Sequence, residues 1–334
     1  MSHTYQAADN RYEKMLYRRA GASGLLFPAI SLGFWHNFGE NDNPDNMRAM
    51  MRTAFDLGIS QFDLANNYGP QYGRAEKNAG KFLAEDFKPY RDELVISSKA
   101  GYDMWPGPYG NWGSRKYLIA SADQSLNRLG LDYVDIFYHH RPDPNTPLAE
   151  TLDALKSIVD AGKAIYAGIS NYNAEQTRAA VRYARKIHLP LIVNQSRYSI
   201  FDRKIERMDL PGQADEDGIG IIAFSPLAQG LLSDRYLDGI PSDSRIAHDG
   251  RYLKREDLTE NKLSAARRLQ EIARDRGQSL AQMALAWDLR LPQVSSVIIG
   301  ASSPAQIKEN VDALEHLDFS PAELTEIDEI AAGV

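Results

Sequence analysis

The chain has 334 residues, 43% of them hydrophobic and 25% charged, which is the balance of an ordinary globular protein with room for two domains or one large α/β barrel. A net charge of -7 argues against nucleic-acid and anionic-membrane partners, since both favour a basic face. The absence of cysteine removes disulfides, thiolate metal sites and thiol nucleophiles together.

The first ten residues, Met1 to Asn10, lack the basic start and apolar core of a signal peptide, and no later run is long and apolar enough to span a bilayer. A cytoplasmic protein is the expectation. Leu16 to Arg19 and Leu25 to Phe27 read as a β-hairpin, with Gly21 and Gly24 in its turn. Eight short apolar runs follow in order: Ile30 to Leu32, Gln61 to Leu64, Leu94 to Ser97, Val134 to Tyr138, Ala164 to Ile169, Leu191 to Asn194, Gly220 to Phe224 and Ser296 to Ile299. Helix-like segments lie between them. Asn43 with Pro44 forms an N-cap and first-turn pair, and Gly58, Gly130 and Gly162 stand where helices must stop before strands. Such βα units suit a closed barrel of eight or a doubly wound sheet, and periodicity alone does not choose. No linker rich in Pro, Gly or Ser divides the chain, so 1-334 reads as a single domain. The segment from Ala228 to about Lys262 is long, polar and weakly periodic, and we read it as a lid over a cofactor.

In a parallel barrel, chemistry sits at the C-terminal ends of the strands. The second run ends at Asp63, with Tyr68 one loop beyond, and the third at Lys99. The fourth ends near His139 and His140, the fifth at Ser170 and Asn171, the sixth at Gln195, the seventh at Ser225 and Pro226, and the eighth at Gly300. Polar endings gathered on one face serve core packing poorly. A free phenol has a pKa near 10 and donates a proton weakly at neutral pH. An ammonium within about 4 Å is worth about 4 kcal/mol at an effective dielectric near 20, which would bring Tyr68 toward the range of a general acid. Asp63 would keep Lys99 charged and aimed.

With these residues in place, the chain resembles the aldo-keto reductase family over essentially its whole length. Asp63 and Tyr68 resemble the family's D-x-x-x-x-Y element, and Lys99 closes a strand as the family lysine does. The segment Tyr133 to His140 resembles the strand that delivers the fourth catalytic residue, and the spacing from the V-D pair selects His140. The runs from Trp105 to Gly110 and from Gly113 to Leu118 are similar to the branch of bacterial L-glyceraldehyde-3-phosphate reductases. Arg141 to Pro147 is closer to the potassium-channel β-subunit-like proteins of the same branch, in which an asparagine replaces the histidine.

The resemblance implies a (β/α)8 TIM barrel with an N-terminal β-hairpin and a long cofactor-covering loop after strand seven. It also implies the catalytic set Asp63, Tyr68, Lys99 and His140, and NADPH/NADP+ as cofactor. The formal G-x-G-x-x-A match at Gly218 to Ala223 precedes an apolar strand instead of linking strand to helix, so we assign it to helix termination and reject a Rossmann site. Ser170, Asn171 and Gln195 would instead hold the nicotinamide carboxamide and Phe224 would stack on its ring. Ser225, Pro226, Leu227, Gln229 and Gly230 would run along the pyrophosphate. Gly300, Ser302, Gln306, Glu309 and Asn310 would take the adenosine half, while Arg235 and Arg245 would close over the phosphates. The branch pattern has Gly-Lys-Tyr where this chain has Asp234, Arg235 and Tyr236, and the neighbouring Asp234 puts that contact in question.

Trp35, which also meets the cofactor, Tyr68, Trp105 and Arg141 would contact a small aldehyde such as methylglyoxal or a triose phosphate. Trp112 would serve equally as packing or as wall. No metal is expected. Two rival readings stand: an NADP-binding regulatory or scaffold subunit with slow turnover, and a metal-free barrel isomerase or lyase. A homo-oligomer, tetramer or larger, is an expectation carried by the resemblance alone.

Overall fold

The computed structural model describes residues 5–69, 71–237, 239–241 and 254–334. Two short strands, β1 (Tyr17–Arg19) and β2 (Leu26–Pro28), pair antiparallel as the expected hairpin. Eight parallel strands then close a barrel: β3 (Ile30–Gly33), β4 (Gln61–Asp63), β5 (Val95–Ala100), β6 (Val134–His139), β7 (Ala164–Ser170), β8 (Leu191–Arg197), β9 (Gly220–Phe224) and β10 (Val294–Ile299). β10 pairs with both β9 and β3, which completes the ring and decides against the open doubly wound sheet.

Each strand ends within a residue or two of its apolar run, except that β5, β8 and β10 are longer than the sequence pattern shows. Lys99, Ser196 and Ser295 lie in these extensions and are all buried, so hydrophobicity could not mark them. The helices between strands carry the caps read from sequence. The Asn43 side chain accepts from the backbone N–H groups of Asp45 and Asn46, and Ser114, Asn173, Ser279 and Ser320 act likewise at later helices.

Two cores follow from this arrangement. The larger lies between the barrel and its helices. The smaller fills the barrel, where Val95, Ile136, Val193 and Ile222 meet Ala20 and Phe27 of the hairpin segment. Ser295 Oγ donates to the Arg19 carbonyl at 2.9 Å, at the start of β10. The hairpin therefore plugs the end where the strands begin and leaves the opposite end for the site. Gly218, with φ of 64°, terminates the helix Leu210–Asp217 just before β9, the role assigned to the formal glycine motif.

The segment after β9 differs from its sequence reading. Leu231, Leu232, Tyr236 and Leu237 are buried and join the main core, so the first part of the segment read as polar is packed structure. A helix, Glu260–Asp275, resumes the fold. Arg245 lies outside the described residues.

Candidate active site

Strand β5 places Lys99 at the centre of the barrel mouth, fully buried. Its Nζ donates to Asp63 Oδ2 at 2.6 Å and to the Leu64 carbonyl at 2.6 Å, and it lies 3.5 Å from Tyr68 Oη. Asp63 Oδ1 accepts from Ser97 Oγ at 2.8 Å and from Gln195 Nε2 at 2.9 Å. A buried charge pair persists only when hydrogen bonds satisfy its remaining lone pairs, and these three donors do so for the carboxylate. Burial lowers the Lys99 ammonium from its ordinary range, against the opposing pull of Asp63.

Tyr68 behaves differently from the sequence expectation. Removal from water raises its phenol well above the ordinary value, with the Asp63 charge and then Tyr102 adding to the rise. The expectation had Asp63 hold Lys99 but counted only the pull of the ammonium on the phenol, whereas burial opposes that pull and the Asp63 charge is itself felt by the phenol. Tyr68 is consequently a firmly protonated donor at neutral pH.

His140 follows β6 directly and is buried, with its ring edge-on to Tyr68 at 5.9 Å and to Tyr102 at 4.7 Å between centroids. Burial, then Lys99, His139 and Arg141, hold its imidazole far below the usual histidine pKa, so it is neutral. Its Nδ1 is buried with no hydrogen-bond partner among the described residues. Neighbouring His139 faces the other way: its Nδ1 pairs with Tyr172 Oη at 2.7 Å, and its ring lies against Gly113. Successive strand residues alternate faces, as expected for this pair.

One cavity opens beside Tyr68 at the strand ends. It is lined by Trp35, Asp63, Tyr68, Gln195 and Phe224, by Ser225, Pro226, Leu227, Gln229, Gly230 and Arg235, and by Gly300, Ser302 and Gln306. Ser170 and Asn171 stand one strand away, with the Asn171 backbone N–H on the Gln195 carbonyl at 2.9 Å and its Nδ2 on the His140 carbonyl at 3.1 Å. Glu309 and Asn310 do not line the cavity and lie on the helix Pro304–Val311 that starts at its rim. Asp234 is turned aside: its Oδ1 accepts from Gln270 Nε2 at 2.9 Å, while Arg235 lines the cavity. The neighbour that put Arg235 in question is therefore occupied elsewhere.

An aromatic face, several amide and hydroxyl donors and a guanidinium in the lining suit a dinucleotide with its phosphates. Gly33, Asn37, Ser233 and Tyr236 also line the cavity and were not singled out from sequence. Gly33 ends β3 as Gly300 follows β10, so the strand-end rule would have found it; Asn37 and Ser233 carry no such signal.

Two residues expected at the substrate lie apart from this cavity. Trp105 packs on Tyr117 at 5.1 Å and lines a different depression with Tyr72 and Trp112. Arg141 turns its guanidinium into the loop after β5, where Nε donates to the Gly101 carbonyl at 2.9 Å and Nη2 to Asn111 Oδ1 at 2.8 Å. The expectation of a phosphate partner rested on its place after His140 and could not include these bonds.

A parallel barrel with an acid, a lysine, a phenol and an imidazole converging at its mouth defines a class, and the sequence comparison names it. Residues 29–332 match the model of the Aldo/keto reductase family, and the chain belongs to that family of oxidoreductases, which draw on NAD(P)H. The chain is 55% identical over 326 residues to the L-glyceraldehyde 3-phosphate reductase of Escherichia coli (strain K12), covering 97% of this chain and 94% of the relative. It is 38% identical over 323 residues to a probable voltage-gated potassium channel subunit beta of Arabidopsis thaliana, covering 95% and 96%. A putative subunit of the same kind in Schizosaccharomyces pombe is 37% identical over 321 residues, covering 94% and 92%. Among the described residues, no helix is long and apolar enough to cross a membrane.

Proposed function

We propose that this chain reduces small aldehydes to alcohols with NADPH, and that Tyr68 donates the proton. The observation that carries the reading is the 3.5 Å approach of Lys99 Nζ to the Oη of Tyr68, which lines a donor-rich cavity. The cofactor, when bound, supplies hydride to the carbonyl carbon. Tyr68 protonates the carbonyl oxygen, and Lys99, held by Asp63, stabilises the negative charge that the phenol takes on. A neutral His140 bonds the same oxygen and orients it, since one of its ring nitrogens carries a hydrogen. Gln195, beside Ser170 and Asn171, would hold the carboxamide, with Phe224 against the ring. Ser225 through Gly230, with Arg235 and Arg245, would take the phosphates, and Gly300, Ser302, Gln306, Glu309 and Asn310 the adenosine portion.

The substrate class follows the reductase relative: glyceraldehyde 3-phosphate and comparable small aldehydes such as methylglyoxal, with Trp35 as a wall of the site. NADPH is preferred over NADH because a guanidinium on the cavity wall suits a 2'-phosphate. One barrel domain, a cytoplasmic setting and a homo-oligomer of four or more copies complete the reading. The test is a turnover assay with both coenzymes and both aldehydes, with the alcohol product quantified. Product formed in step with NADPH oxidation supports the proposal. Tight NADPH binding without product favours the second reading, a regulatory subunit, for which the potassium-channel relatives are the specific observation.

A further inference from the structure

Arg141 is adjacent to His140 in sequence, and its guanidinium is committed to the loop that runs from Gly101 to Trp112. Beyond its bonds to the Gly101 carbonyl and Asn111 Oδ1, its Cζ lies 4.2 Å from the Tyr102 ring centre and 3.7 Å from that of Trp112. Tyr102 in turn meets His140 edge-on at 4.7 Å, and His140 meets Tyr68 at 5.9 Å. Tyr102 is also fixed through its main chain, since Tyr117 Oη donates to its carbonyl at 2.6 Å and Asn66 Nδ2 donates to Tyr117 Oη at 3.0 Å. A planar guanidinium bonded along its edge and stacked on aromatic faces has little freedom, and a lysine could not reproduce that fork.

We propose that Arg141 is a positioning residue, which presses Tyr102 against His140 and thereby fixes the imidazole relative to Tyr68. Tyr102 forms part of this positioning unit through its ring and not its hydroxyl. The inference rests on the reading of His140 and Tyr68 as the groups that meet the carbonyl oxygen. It opposes a role for Arg141 as a phosphate anchor, because the guanidinium is bonded to the Gly101 carbonyl and Asn111, and a positioning role affects both aldehydes where an anchor would affect only the phosphorylated one.

The test uses the full-length protein with NADPH, glyceraldehyde and glyceraldehyde 3-phosphate, and the variants Arg141→Met, Arg141→Lys, Tyr102→Leu and Tyr102→Phe. Arg141→Met and Tyr102→Leu are expected to lower kcat about tenfold to a hundredfold for both aldehydes, as a small misplacement of a reacting group does. The KM for NADPH stays put, Arg141→Lys fails to rescue, and Tyr102→Phe retains most of the wild-type rate. A loss confined to the phosphorylated aldehyde, seen as a raised KM, would overturn the proposal. A second measurement is independent of turnover: the magnetic resonance signal of isotope-labelled His140, assigned through His140→Asn, feels the ring current of Tyr102. In Arg141→Met that signal should move toward its position in Tyr102→Leu, and a signal that stays at the wild-type position refutes the positioning role. Should the wild-type protein reduce neither aldehyde, the proposed function fails while the resonance still decides the role of Arg141.

Discussion

Lys99 is the residue on which the site turns, because a fully buried ammonium must be paired, and its Nζ bonds Asp63 and the Leu64 carbonyl while reaching Tyr68 Oη. Asp63→Asn keeps the shape and removes the counter-charge. It should cost about 3–5 kcal/mol of stability, the usual penalty for leaving one buried charge alone, and turnover should fall with it. Urea unfolding of the variant beside the wild type checks the figure; an unchanged midpoint would mean that Lys99 is neutral in the folded protein. Asp63 and Lys99 were legible in the sequence as polar residues ending apolar runs, with Tyr68 one loop beyond, whereas the choice of His140 over His139 came from the family resemblance. The bond from Gln195 to Asp63 was not, since it joins residues 132 apart on strands that meet only across the barrel. The direction of the Tyr68 shift was also missed, because a single Coulomb pair was weighed without the burial of both partners.

At the scale of elements, helix Leu280–Asp288 is buried at every position except Gln282, and Asp288 at its C-terminal end has no hydrogen-bond partner on either carboxylate oxygen among the described residues. Burial pushes this carboxyl well above the usual range, with only Arg290 opposing, and an acid at a helix C-terminus also meets the wrong end of the dipole. Because its folded pKa is raised, its contribution favours folding at low pH and is lost as pH rises above about 4. Asp288→Leu should therefore stabilise the protein at neutral pH by about 1–3 kcal/mol, read as a higher denaturant midpoint. Gly168 in β7 makes the opposite case. A Cβ there would stand 2.3 Å from the Tyr138 ring, so Gly168→Ala should destabilise by about 1–3 kcal/mol in the same experiment. The cap at Asn43 and the helix stops at Gly58, Gly130 and Gly162 were legible because Asn, Pro and Gly act locally. The packing of Leu231, Leu232 and Tyr236 was hidden, since they join a core assembled from residues distant in sequence and no local period announces them.

The whole molecule sets the pH limits of the fold. Strand β6 and the residue after it carry two buried neutral histidines side by side, and His139 has its pKa lowered to about 4, chiefly by burial. An unfolded histidine titrates near 6.5, so the unfolded chain takes the proton first and stability falls as pH drops through the interval from about 6.5 to about 4. The His139 share of that loss is on the order of 3 kcal/mol, and His139→Gln should flatten the slope of stability against pH. Closure of the barrel was legible only as one of two options, because eight βα units do not themselves say whether the last strand meets the first. The pairing of β10 with β3 makes that choice and thereby gathers all the strand ends around one mouth. The central claim is that Tyr68 protonates an aldehyde at that mouth. It is tested most directly by NADPH oxidation with glyceraldehyde 3-phosphate in the wild type and in Tyr68→Phe, with NADPH binding measured separately in each. The account predicts equal NADPH binding and a rate lowered by about 10²- to 10⁴-fold in the variant. A variant that oxidises NADPH as fast as the wild type would contradict it.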